Sequence, residues 1–114
     1  MKSSGSRRSI RLGDQILREL ATMLVEEVQD PRLELVSLTG VKLNADMGIA
    51  LVSFTVGGGP ERRKLALDGL NKAKGFLRSG LGRRLQLRAL PDLRFTHDDF
   101  LEDMVYAKPG QADS

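Results

Sequence analysis

The sequence predicts an α+β domain of two layers, with helices on one face of a three-stranded mixed sheet. Three observations point there. Ile16, Leu17, Leu20, Ala21, Leu24 and Val28 recur at the three- and four-residue spacing of a buried helix face. Two β-type runs follow, with Val36, Leu38, Val41 and Leu43 in the first and Ala50, Val52, Phe54 and Val56 in the second. A second helical stripe, Leu70, Ala73, Leu77 and Leu81, then separates those runs from a last alternation at Leu93, Phe95 and His97. The order is helix, strand, strand, helix, strand, and the long connection before the last strand permits a parallel pairing.

Each element has a local reason. Residues 1–8 are rich in Ser, Gly and Arg and are expected to form a flexible basic arm, ahead of a domain over 9–103 and a short flexible tail over 104–114. Ser9 or Asp14 is the expected cap of the first helix, which should end near Val28 or Gln29 because Pro31 forces Asp30 out of helical geometry. The apolar phase of the first strand slips at Gly40, which predicts a β-bulge. Residues 44–48 have turn composition, so the two strands should pair as an antiparallel hairpin. Gly57, Gly58 and Gly59 form a loop, and Pro60 suits a helix N-terminus. The helical region over 65–85 contains Gly75, where glycine costs roughly 1 kcal/mol relative to alanine. A kink with φ > 0, or a backbone that a ligand approaches closely, is therefore expected at Gly75, and an added Cβ should destabilise the fold and weaken binding. Gly80 and Gly82 weaken the end of this helix, Pro91 is expected to stop it, and residues 100–106 are expected to add one more turn.

Charge narrows the function. The chain has 114 residues, 40% of them apolar, enough for one small core and no second domain. Its net charge is +3, yet residues 60–90 hold nine Lys and Arg against Glu61 and Asp68, a local +7. Residues 13–59 and 91–114 each carry −4, so positive charge is segregated, as expected of a face that binds a polyanion such as RNA. With no cysteine, disulfides and thiolate metal sites are excluded. No apolar run approaches the ~20 residues that span a bilayer, and the first residues lack a signal-sequence pattern, so the expectation is a soluble cytoplasmic protein with no membrane partner.

Several motifs agree on one family. Asp30-Pro31-Arg32, Leu38-Thr39-Gly40-Val41, Asp46 ahead of the second strand, Ala73-Lys74-Gly75-Phe76-Leu77-Arg78, the pair Leu85 and Leu87, and the run from Pro91 to Asp98 together resemble the ribosome-binding factor A family, over residues 7–103. The resemblance implies a type II KH-like domain in which Ala73-Lys74-Gly75 forms an AxG kink in place of the usual GxxG loop. It also implies a bacterial assembly factor that binds the free small (30S) ribosomal subunit. Such a factor assists late maturation of precursor 16S rRNA, including its 5′ end and notably in the cold, with assembly GTPases among its partners. The C-terminus departs from the family pattern, because a longer charged tail is missing and only Met104-Val105-Tyr106 precedes polar residues.

The residues themselves restrict how RNA could be held. No glycine is followed by another three positions later, so a GxxG clamp is absent. Stacking would need exposed aromatics, and Phe54 and Phe95 fall in core phase, leaving Phe76, Phe100 and Tyr106, so sequence-specific stacking is not expected. Phosphate contacts remain. The candidates are Lys64, Lys72 and Arg83 off the apolar stripe, Ala73, Lys74, Gly75 and Arg78 at the kink, Arg84 and Arg88 nearby, and the arm residues Arg7, Arg8 and Arg11. A broken helix at Gly75 would also offer a second helix N-terminus to a phosphate.

No enzymatic pattern is present. His97 is the sole histidine, and there is no phosphate-binding loop or nucleophile elbow, so neither catalysis nor a cofactor is expected. Asp98, Asp99, Glu102 and Asp103 read as a solvated acidic end rather than a cation site. The competing readings are a general RNA-binding KH-like module and a protein-interaction domain without ribosome specificity. A monomer is expected, because no heptad seam or long exposed strand is evident.

Overall fold

The computed structural model of the chain describes residues 6–99. Helix α1 spans Arg7–Glu26, a 3-10 turn spans Pro31–Leu33, and strands β1 and β2 span Val36–Leu43 and Ile49–Val56. Helix α2 spans Pro60–Leu85 and strand β3 spans Asp92–His97. The strands lie in the order β1-β2-β3, with β1 and β2 antiparallel and β2 and β3 parallel. This is the mixed sheet expected from the chain order.

Helix α1 starts earlier than expected. Its cap is Ser6, whose hydroxyl accepts the Ser9 N–H at 3.1 Å, so neither Ser9 nor Asp14 caps it. Ser9 is itself 5% exposed, and its hydroxyl donates to the Ser6 carbonyl. Arg7 and Arg8 therefore stand in the first turn of a helix and not in an arm. After α1, Asp30 leaves the helix in extended geometry and caps the 3-10 turn, accepting the Arg32 N–H at 2.9 Å. The same carboxylate receives the Arg32 guanidinium, with Nη2 to Oδ2 at 2.7 Å. Asp30-Pro31-Arg32 is thus a self-closed turn.

The register of β1 against β2 shifts between Leu38 and Gly40, which is the bulge expected there. In the hairpin loop Asn44 Oδ1 accepts the Ile49 N–H at 2.8 Å, and Met47 turns the chain with φ +60°. The Gly48 carbonyl accepts the Asp92 N–H at 2.8 Å, which fixes where β3 joins the sheet.

Both helices cover one face of the sheet. Ile16, Leu20 and Met23 from α1 meet Leu77 and Leu81 from α2 over Ala50, Val52 and Leu93. A second cluster joins Ala66 and Leu70 to Leu33, Phe54 and Val56. Fully burying such a side chain contributes about 1.5–3 kcal/mol, so the two stripes hold the layers together. Helix α1 can approach β1 closely because position 13 is glycine: a Cβ there would lie 2.7 Å from the Val41 carbonyl oxygen.

Helix α2 corrects two expectations. It runs unbroken for 26 residues through Gly75, and among described glycines only Gly58 has positive φ. Gly75 therefore neither breaks the helix nor adopts a left-handed conformation, and α2 offers no second N-terminus. The helix also ends well before Pro91, where Gln86 takes φ +51° and its N–H reaches the Gly82 carbonyl. Pro60 does stand at the helix start. The turn expected over 100–106 lies outside the described residues. Among the described residues no helix is long and apolar enough to cross a membrane.

Candidate nucleic-acid interface

The inward stripe of α2 determines what its other side presents. With 100° of rotation per residue, burying Ala66, Leu70, Leu77 and Leu81 turns Lys72, Phe76, Ser79 and Arg83 outward along nearly one line. All four are exposed, and Lys64, Leu65, Asp68 and Gly75 flank them. Phe76 is 45% exposed, whereas Leu77 beside it is fully buried. At Gly75 an added Cβ would meet nothing within 4 Å, so this part of the helix surface is open.

The basic candidates divide by what they touch. Lys64, Lys72 and Arg83 are exposed on this outward side, and Lys74 is half-buried. Ala73 instead packs against the core cluster, so it faces inward. Arg78 is used by the fold: its Nε donates to the Pro91 carbonyl at 3.1 Å and its Nη2 to the Leu90 carbonyl at 3.0 Å. That pair of bonds ties α2 to the segment entering β3. Arg84 is also committed, bridging Glu19 at 3.1 Å and Glu27 and so clamping α2 to α1. These partners, the Glu19 hydrogen bond foremost, hold the Arg84 guanidinium above its ordinary pKa. Arg78 and Arg84 thus keep their charge near the face but spend donors inside the protein.

A second basic cluster adjoins the end of α2. Arg7, Arg8, Arg11, Leu12, Gln15 and Leu87 line a shallow groove, and exposed Arg88 follows Leu87 in the chain. The segment 86–88 therefore connects the cationic end of α2 with the start of α1. No acidic residue occupies the first turn of α1, so the arginines add to the positive end of its dipole.

Apart from Glu61 and Asp68 on α2 itself, the acidic groups lie off this helix. The Asp30 carboxyl is held below its ordinary range, first by the Arg32 side-chain hydrogen bond and then by the Arg32 N–H, with Lys72 adding a smaller attraction. The Asp30 turn packs on α2 at Gly69, whose added Cβ would stand 3.0 Å from Leu33 Cδ2. At the end of β3, Asp98 accepts the Thr39 hydroxyl at 2.9 Å, and Asp99 pairs with His97 at 2.8 Å and with Arg63 at 3.7 Å. Among the described residues no group of three or more His, Cys, Asp or Glu is arranged to hold a metal ion. Glu102 and Asp103 lie outside the described residues.

Sequence reasoning left Phe76 outside the core phase but did not place it on the basic side of α2, and it missed the two committed arginines. The first was readable: Phe76 stands four residues after Lys72 and seven before Arg83, off the leucine stripe. Nothing local announces the partners of Arg84, which lie 65 and 57 residues away.

Comparison with known proteins gives this geometry a context. The family model of ribosome-binding factor A matches residues 8–108. A ribosome-binding factor A from Nitrosomonas eutropha is 43% identical over 95 residues, covering 83% of this chain and 81% of the relative. The crystal structure of ribosome-binding factor A from Thermus thermophilus superposes with a TM-score of 0.70 at 31% identity, covering 78% of this chain and 93% of the other. A Thermus thermophilus ribosome-binding factor A fitted into a cryo-electron-microscopy map of its complex with the 30S subunit gives a TM-score of 0.64 at 32% identity, over 77% and 92% of the two chains. With the family model spanning nearly all of the folded domain, the chain belongs to the ribosome-binding factor A family.

Proposed function

We propose that this chain is a cytoplasmic, monomeric assembly factor that binds the free small ribosomal subunit and assists late maturation of precursor 16S rRNA. The observation that carries the reading is the exposed basic side of α2, on a chain whose segments 13–59 and 91–114 are each net acidic. Lys64, Lys72, Lys74 and Arg83 supply phosphate contacts, and Gly75 lets an RNA backbone approach the helix without meeting a side chain. Arg7, Arg8, Arg11 and Arg88 extend the contact, since a phosphate near the α1 N-terminus would relieve the charge collected there. Arg78, Arg84 and Ala73 act indirectly, by fixing α2 against its neighbours.

Work at the 5′ end of the precursor, a role in the cold and interplay with assembly GTPases belong to the same reading. The factor acts by occupying rRNA, not by catalysis. Co-sedimentation with separated ribosomal particles tests it. Binding to free small subunits, and not to large subunits or complete ribosomes, is the expected result. Equal binding to any structured RNA would favour a general RNA-binding module, and binding to neither would remove the proposal.

A further inference from the structure

We propose that Phe76 is a stacking platform for one unpaired base of the RNA held by the outward side of α2. The inference rests on the RNA-binding reading above and adds to it a contact other than phosphate. Phe76 is the one aromatic among the large exposed hydrophobics of the described residues. Phe54 is 1% exposed and Phe95 packs against both core clusters. Phe76, by contrast, is 45% exposed and belongs to neither core cluster, so a large part of its ring is available to a ligand.

The surroundings suit a nucleotide. Lys72 stands one turn before the ring and Arg83 two turns after it on the same side, about 6 Å and 10 Å along the helix axis. Cations at both ends can hold the phosphates that flank a base laid on the ring. Gly75 adds no side chain beside the ring and leaves open space at its own Cβ position. Charge complementarity favours an anionic strand over a protein partner, because the exposed side holds Lys64, Lys72 and Arg83 against Glu61 and Asp68, and each of the three cations stands nearer the ring along the helix than Glu61. Every base has a π-face, so the platform accepts any unpaired nucleotide and contributes affinity without reading sequence.

The test uses the full chain, purified small subunits and the variants Phe76→Ala, Phe76→Leu and Phe76→Trp. The chain has no tryptophan, so Phe76→Trp places a lone reporter at the site. Phe76→Ala and Phe76→Leu are expected to weaken binding roughly 5- to 150-fold, the equivalent of ~1–3 kcal/mol per stacked base, with the salt dependence unchanged. Phe76→Trp should bind more tightly than Phe76→Leu, and its emission should be quenched by the stacked base. Equal affinity of Phe76→Leu and the parent would overturn the proposal, as would a blue shift without quenching, which reports burial against protein. A Lys72→Glu/Arg83→Glu variant separates the two levels. If that variant loses binding while Phe76→Ala keeps it, only the stacking inference fails; if it binds like the parent, the reading of the α2 surface fails with it.

Discussion

Replacing Gly75 by alanine separates fold stability from binding on one residue. The position is an exposed helix interior with ordinary φ, and the added methyl would meet no atom within 4 Å. Alanine should therefore stabilise the protein by roughly 0.5–1 kcal/mol, by restricting the unfolded chain and favouring the helix. For a domain of about 100 residues that raises Tm by about 2–8 °C. Gly13→Ala and Gly80→Ala are the contrasts. At Gly13 the methyl would press on the Val41 carbonyl oxygen at 2.7 Å, and at Gly80 it would collide with the thioether of fully buried Met23. Overpacking of this kind costs about 1–3 kcal/mol, so both variants should melt lower than the parent. Thermal melts and urea titrations of the three proteins make the comparison, alongside small-subunit binding. If Gly75→Ala melts lower than the parent, the helical reading of this position is wrong. If it melts higher and binds as tightly as the parent, no RNA backbone passes close to Gly75; higher stability with weaker binding is expected.

Other outcomes follow from the committed side chains. Arg78→Lys should lower stability by about 0.5–1.5 kcal/mol, because an ammonium cannot reproduce the paired donation to the Leu90 and Pro91 carbonyls; an unchanged urea midpoint would contradict this. Arg84→Ala should shift the urea midpoint down further than Arg83→Ala, since only Arg84 clamps α2 to Glu19 and Glu27 of the α1 end. Asp30 gives a pH signature. Its folded pKa is lowered, so on acidification the unfolded carboxyl protonates first, and the Asp30 contribution is complete above the ordinary carboxylate range and is lost as pH falls below that range through the lowered folded pKa. Asp30→Asn should flatten the acid limb of the stability curve, which pH-dependent melts would show.

Much of the fold was legible because its periodicities are strong. The leucines of α2 and the alternation of Ala50, Val52, Phe54 and Val56 each identify one buried face, and the Gly40 bulge shows as a slip of phase. Helix ends were harder. Ser6 and Ser9 are equally good caps by chemistry, and the choice depends on Ser9 being buried against the rest of the fold. Gly75 was misleading for a similar reason: a glycine that leaves a surface open and one that takes a left-handed turn look alike in a sequence. Gln86 carries the left-handed termination of α2 with no glycine to signal it. For the candidate interface, net charge points to α2 but does not tell Lys72 and Arg83, which face outward, from Arg84, whose partners are brought in by α1.

The outward side of α2 as the rRNA contact is tested most directly by charge reversal with a salt titration. The variant Lys64→Glu/Lys72→Glu/Arg83→Glu leaves every described hydrogen bond of Arg78 and Arg84 in place, so the melt should stay near that of the parent. Parent binding to free small subunits should fall steeply with salt, with a log-log slope of roughly −0.7 to −0.9 per phosphate contact. The folded variant should lose most of that affinity and, in what remains, show a slope shallower by about two to three units. A folded variant with the affinity and salt slope of the parent would contradict this assignment and move the contact to Arg7, Arg8 and Arg11.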